Sequence, residues 1–235
     1  MTTTPANAVK AGGVALAVAA LWYLIAEAIT ASAWKNPPYS YSRNAISDLG
    51  VPSCGGELQG RVICSPLHGV MNSAFILQGV LFVVAAVLLF RLLLGRMRWV
   101  YLFLALVQGV GIVVVGLIHG SPESLANGMM VWHGLGAFMA ILGGNLVFVV
   151  IGGHILRRRT ETWLGITEVA LGVIGLVAAV VLAMNWDAPY AAVYERISVY
   201  PIIVAQLIAG IVLIGWRRTA PAAAHAQPLP TGAPE

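Results

Sequence analysis

A chain of 235 residues that is 59% hydrophobic and only 9% charged is no soluble domain, in which charged residues make up roughly 25%. Its mean hydropathy of +0.86 marks an integral membrane protein. The net charge of +4 and the pI near 9.3 would suggest nucleic acid in a soluble protein, but here the basic residues flank apolar runs, which is membrane topology and implies no nucleic-acid partner.

The expected fold class is all-α, a polytopic membrane protein built as a six-transmembrane-helix bundle. A crossing takes about 20 apolar residues as helix. The spans are expected near 11–31, 69–94, 98–118, 130–155, 164–184 and 197–216. An apolar segment in lipid satisfies its backbone internally as helix, and the alternation of a barrel strand is absent. Residues 1–216 form a single membrane domain. Residues 217–235, rich in Pro and Ala, form a disordered cytoplasmic tail in which His225 is incidental.

The first span follows Lys10 and ends in Ala31-Ser32-Ala33, which resembles a signal-peptidase site. The run is long for a signal peptide and holds Glu27 near its end. An uncleaved first helix is the plainer reading, with cleavage as the alternative.

The loop 32–68 carries the most polar stretch, "YSYSRNAISDLG". Pro37-Pro38 block a helix there, Asn44 or Ser47 can cap one, and Gly50 can end one. The expected element is a short interfacial helix with Ile46 and Leu49 dipping toward lipid and Asn44 and Asp48 facing the mouth of the bundle. The only two cysteines, Cys54 and Cys64, lie in this loop. An oxidising exterior permits a disulfide between them, worth about 3 kcal/mol in the chain-entropy model; two free thiols are the alternative.

On the second span His68 and Asn72 share a helix face, and on the third Gln108 and His119 align over about three turns. The stretch from His68 weakly echoes the stretch from His133, which would set these two histidines at similar depth. His154 ends the fourth span beside Arg157–Arg159 and is incidental, while Glu168 is expected to snorkel or to pair with those arginines. Glu195 and Gln206 align on the sixth span if the helix already includes Glu195. Taken singly, Gln78, Gln108, Asn145 and Gln206 read best as interhelical glue.

Sidedness follows from the basic residues. Lys10, Arg91, Arg96, Arg98, Arg157–Arg159, Arg217 and Arg218 fall on one side, against Lys35, Arg43, Arg61 and Arg196 on the other. The positive-inside rule puts both termini in the cytoplasm (N-in, C-in), in the plasma membrane of a bacterium. Polar groups at membrane depth are costly and usually face a cavity or a partner. Those on the outer side define the expected ligand-binding pocket: Asn44, Ser47, Asp48, His68, Asn72, His119, His133, Glu195 and Arg196. The polar stripes of spans two, three and six would line one outward-opening cleft.

The set "NAISDLG", "SPLHGVMNSAFILQGVLF" and "AVYERISVYPIIV" resembles the membrane family known as domain of unknown function 998, over roughly residues 10–216. That family shows an Asn-x-x-Ser-Asp-Leu-Gly element after its first helix. A Ser-Pro and an Asn open its second helix, a His starts a later one, and a Glu-Arg pair opens the last. Carried over, these are Asn44, Ser47, Asp48, Leu49, Gly50, Ser65, Pro66, Asn72, His133, Glu195 and Arg196. The resemblance implies fold and site but little chemistry.

The reading that follows is a pocket for a lipid, an isoprenoid or a lipid-linked sugar, with membrane lipids as partners. Asp48 or Glu195 would pair with Arg196 or with a headgroup amine, or Arg196 would hold a phosphate. One alternative is a metal-dependent membrane hydrolase using His68, His119 and His133, with Asp48 or Glu195 as base. No His-x-x-x-His or Glu-x-x-His spacing supports it, so no metal or other cofactor is assigned. Another is a non-catalytic assembly or transport subunit whose Gly-rich spans, such as "GVGIVVVG" and "LGGN", meet a partner; packing within this bundle is the favoured use of those glycines. No acyl-transfer triad is present, because Ser47 and Asp48 are adjacent and cannot both flank one imidazole. Neither catalytic residues nor an oligomeric state is assigned.

Overall fold

A computed structural model describes residues 5–93 and 95–216. The expected tail, with Arg217, Arg218 and His225, lies outside the described residues. Among the described residues six helices are long and apolar enough to cross a membrane. They are α1 (Ala6–Ala33), α2 (His68–Leu89), α3 (Met97–Leu117), α5 (Met130–Arg158), α6 (Thr162–Met184) and α7 (Ala191–Gly215). A single turn of helix, α4 (Pro122–Ala126), precedes α5; Ser121 caps it by accepting the Ser124 N–H. The largest displacement from the expected spans is at α7, which begins at Ala191 rather than near 197. Its first turns carry Tyr194, Glu195 and Arg196, which hide a helix from a hydropathy reading.

Each span packs against its neighbours in the chain, and α7 closes against α1, so the spans form a ring; α5 and α7 also touch across it. Contact of α1 with α7 near Gly13 and Gly210 brings both described ends to one end of the bundle. Lys10, Arg91, Arg96, Arg157 and Arg158 lie at that end. Glycines let the helices approach closely. A Cβ at Gly111 on α3 would stand 2.5 Å from the Ala140 nitrogen and 2.6 Å from the Gly136 oxygen on α5. Gly143 meets Gln108, and Gly144 meets Ile202, so the glycines of "GVGIVVVG" and "LGGN" are used inside this bundle.

Buried polar side chains tie the helices together. The Gln78 and Gln206 amides bond reciprocally at 2.5 and 3.2 Å, and Gln206 also donates to the Leu16 carbonyl. Asn145 donates to the carbonyls of Ile141 and Ser198. These three bear out the reading as glue. Glu168 does not behave as expected. It is 1% exposed on the packed stripe of α6, and neither carboxyl oxygen has a hydrogen-bond partner. The stripe of Leu164, Gly165 and Gly172 turns it into the bundle, away from the arginines.

The opposite end carries the long loop. Its ordered features are a 3-10 turn at Ser47–Gly50 and a hairpin of β1 (Gly56–Leu58) with β2 (Arg61–Ile63). Gln59 and Gly60 both have positive φ, 52° and 73°, the backbone of a two-residue hairpin turn. The Cys54–Cys64 disulfide closes the hairpin base. Ile46 and Leu49, expected to face lipid, are instead 1% and 0% exposed. They sit in the core with Tyr23, Met71 and Phe75, so the turn is a plug in the mouth of the ring. An apolar side chain gains from leaving water in either place, and the sequence does not distinguish the two.

Candidate functional site

Side chains within the loop fold the segment 39–50. Asn44 Oδ1 accepts the Ser40 N–H at 3.0 Å, and Asp48 Oδ2 accepts the Ala45 N–H at 2.9 Å. These turns replace the expected helix caps. Asp48 is 1% exposed, and Arg61 from β2 forks onto it, Nε to Oδ2 at 2.9 Å and Nη2 to Oδ1 at 3.2 Å. The Asn44 amide adds a contact at 3.5 Å. Asp48 therefore pairs with Arg61, not with Arg196. The hairpin folds back over the turn and delivers the nearer guanidinium.

Arg196 serves a second cluster. Its Nη1 donates to the Asn44 carbonyl at 2.7 Å and to the Ala192 carbonyl at 3.2 Å. Its Nη2 reaches Glu27 Oε1 at 3.5 Å and the Tyr39 hydroxyl. The Tyr200 hydroxyl donates to the same Glu27 oxygen at 2.9 Å. The guanidinium also lies 5.6 and 5.2 Å from the ring centroids of Tyr39 and Tyr41. Burial pushes the Tyr39 hydroxyl well above its ordinary range, so it stays a donor, to the Ala45 carbonyl at 2.9 Å. This cluster joins α1, α7 and the loop.

A third group stands at α2 and α3. The Asn72 amide nitrogen donates to the Gly50 carbonyl at 2.9 Å and lies 3.0 Å from His119 Nε2. His68 Nδ1 lies 3.1 Å from the Ser65 carbonyl. Burial, then the neighbouring His68, holds the His119 pKa below its ordinary 6.5. In the Asn72 contact Nε2 accepts, and a proton there removes the acceptor. Because the folded pKa is the lower one, the unfolded chain takes up the proton first. This contribution to stability is complete above about pH 6.5 and declines as the pH falls toward the depressed folded value. Unfolding midpoints in detergent should therefore drop between about pH 7 and pH 5. In His119→Gln, whose carbonyl keeps an acceptor without a titration, that slope should flatten. An unchanged slope would show that other groups set it.

A groove of about 610 Å³ lies at the loop end, between α5, α6 and the start of α7. Phe138, Leu142, Ala179, Val180 and Ala183 make its walls, while Ser47, Asp48, Arg61, His133 and Glu195 gather at its polar end. His133 is 7% exposed and its Nδ1 lies 2.6 Å from the Ile118 carbonyl. Glu195 Oε2 accepts the Ile46 N–H at 2.7 Å, tying α7 to the plug. Ser47, Ala137, Ile141 and Glu195 also border an inner cavity of about 50 Å³ within the ring, where Gln108 lies.

Of the nine expected pocket residues, four line this groove: Ser47, Asp48, His133 and Glu195. Asn44 and Arg196 belong to the cluster on Glu27. His68, Asn72 and His119 belong to the group at α2 and α3. The groove is bounded by α5, α6 and α7; of the three expected stripes only that of the sixth span reaches it, at Glu195. Among the described residues no three His, Cys, Asp or Glu side chains group closely enough to hold a metal ion. Sequence reasoning passed over Arg61, Glu27, Tyr39 and Tyr200 as site members. For Arg61 a signal existed, since Gln59-Gly60 midway between the two cysteines is a candidate two-residue hairpin turn.

A family model described as "Protein of unknown function (DUF998)" matches residues 16–212, the family that the Asn44–Gly50 motif resembles. No curated protein and no solved structure matches the chain.

Proposed function

The chain is a membrane protein of the DUF998 family, and on that premise we propose that its groove binds a lipid or other amphiphile. The polar end sits at Ser47, Asp48, His133 and Glu195, and the tail lies between α5 and α6. The carrying observation is the asymmetry of the groove, apolar along the helix faces and polar only at the loop end. The basic residues at the opposite end support a cytoplasmic placement of both termini, with the groove opening on the outer face of a plasma membrane. For a metal-dependent hydrolase no grouped donor set is found among the described residues.

Gly134 gives the test. It lines the groove, and a Cβ built on it would meet nothing within 4 Å. Gly134→Phe should fill the groove without straining the bundle. Native mass spectrometry from a mild detergent should find co-purifying lipid on the wild type and at least about tenfold less on the variant, the loss of one well-buried chain contact set. Equal retention by both, or none by the wild type, would remove the basis of this reading.

A further inference from the structure

We infer that Glu168 is a proton-binding site inside the membrane, a carboxylic acid that keeps its proton at neutral pH. The inference does not rest on the groove reading. Glu168 lies about 9 Å along α6 from its first residue, toward the end of the bundle that carries the basic residues. It is 1% exposed, and neither of its oxygens has a hydrogen-bond partner. It is the one polar residue among the buried positions of α6, which are otherwise Leu164, Gly165, Gly172, Gly175 and Ala178.

Among the described residues no cation faces it from the helices packed against α6, which are α5 and α7. α5 meets α6 through Asn145, Val149, Gly152 and Leu156. His154 stands two residues from both Gly152 and Leu156, about 200° round the helix, so it lies on the other side of α5. Arg157, Arg158 and Arg159 are exposed, as is Glu161 before α6, and His133 is at the loop end. α7 carries Tyr194, Glu195, Arg196 and Tyr200 within its first ten residues, also at the loop end, and no titratable residue from there to Gly215. A carboxylate buried with neither a cation nor an N–H donor is so costly that the group neutralises instead. Ionisable side chains at membrane depth mark proton sites in this way. The packing around it favours the smallest ligand. A Cβ on Gly165 would stand 2.8 Å from Leu156, and one on Gly172 would stand 2.7 Å from the Asn145 carbonyl oxygen.

The experiment compares wild type with Glu168→Gln, which has the shape of the neutral acid but no proton to lose. At neutral pH the unfolded carboxyl has released its proton, whereas the folded one holds it. Folding therefore takes up one proton, and stability falls as the pH rises until the folded group ionises. The unfolding constant of wild type divided by that of the variant, in one detergent, should rise about tenfold per pH unit between about pH 6 and pH 7. Other titrating groups, His119 included, are common to both chains and cancel. Glu168→Leu, measured in the same way, stands in if the glutamine variant does not fold. Infrared difference spectra of the folded proteins at neutral pH read the group itself. Wild type minus variant should show one carboxylic-acid carbonyl band and no carboxylate band. A ratio that does not change with pH, or a carboxylate band in place of the acid, overturns the inference and means that a cation holds Glu168 ionised.

Discussion

Arg196→Ala is expected to destabilise the protein by about 3–5 kcal/mol, the cost of stranding one partner of a buried ion pair. Arg196 and Glu27 are 7% and 3% exposed, so little solvent replaces the lost contact. Four groups lose a donor together: Glu27, the carbonyls of Asn44 and Ala192, and the Tyr39 hydroxyl. Arg196→Lys should recover less than half of the loss. An ammonium is a point charge that cannot reach Glu27 on one side and the Asn44 carbonyl on the other with a planar fork. Glu27→Gln combined with Arg196→Met should be milder than Arg196→Ala alone, because no uncompensated charge stays buried. Unfolding midpoints in one detergent, followed by circular dichroism, give the comparison. If Arg196→Ala melts like the wild type, this cluster is not what joins α1, α7 and the loop.

How far the sequence led can be judged on particular residues. The six spans were visible because lipid demands length and apolarity from each segment separately. The start of α7 was not, because Glu195 and Arg196 are solvated by partners from α1 and the loop that no local window contains. The motif Asn44–Asp48 reads from the sequence as a short capped helix, and the structure makes it a side-chain-bonded turn leading into one 3-10 turn. Its partners could not be read. Asp48 meets Arg61 only because a hairpin turns back, and Arg196 is left to Glu27 only because α7 closes the ring on α1. Asn72 and His119 do meet, beside the Gly50 carbonyl, while His68 bonds the Ser65 carbonyl, and α2 and α3 stand away from α6. The groove itself leaves almost no polar mark on α5 and α6. It is made by Gly134, Ala179 and Ala183, small residues that in a membrane span look the same whether they pack a helix or leave room beside one.

Asp48→Ala should cost about 2–3 kcal/mol, less than the Arg196 substitution because Arg61 is partly exposed and can turn to water. The side-chain exposures are 17% for Arg61 and 1% for Asp48, so the loss falls on the buried side of the pair. Asp48 does two jobs: it accepts the Ala45 N–H that shapes the turn, and it holds β2 over the plug through Arg61. The variants separate them. Asp48→Asn keeps an acceptor for Ala45 and loses the charge, so it should cost less than Asp48→Ala. Arg61→Ala should leave the turn formed but the carboxylate bare, and the double variant should fall short of the sum of the two singles because they share one interaction. A strictly additive cycle would mean that the 2.9 Å contact contributes nothing measurable.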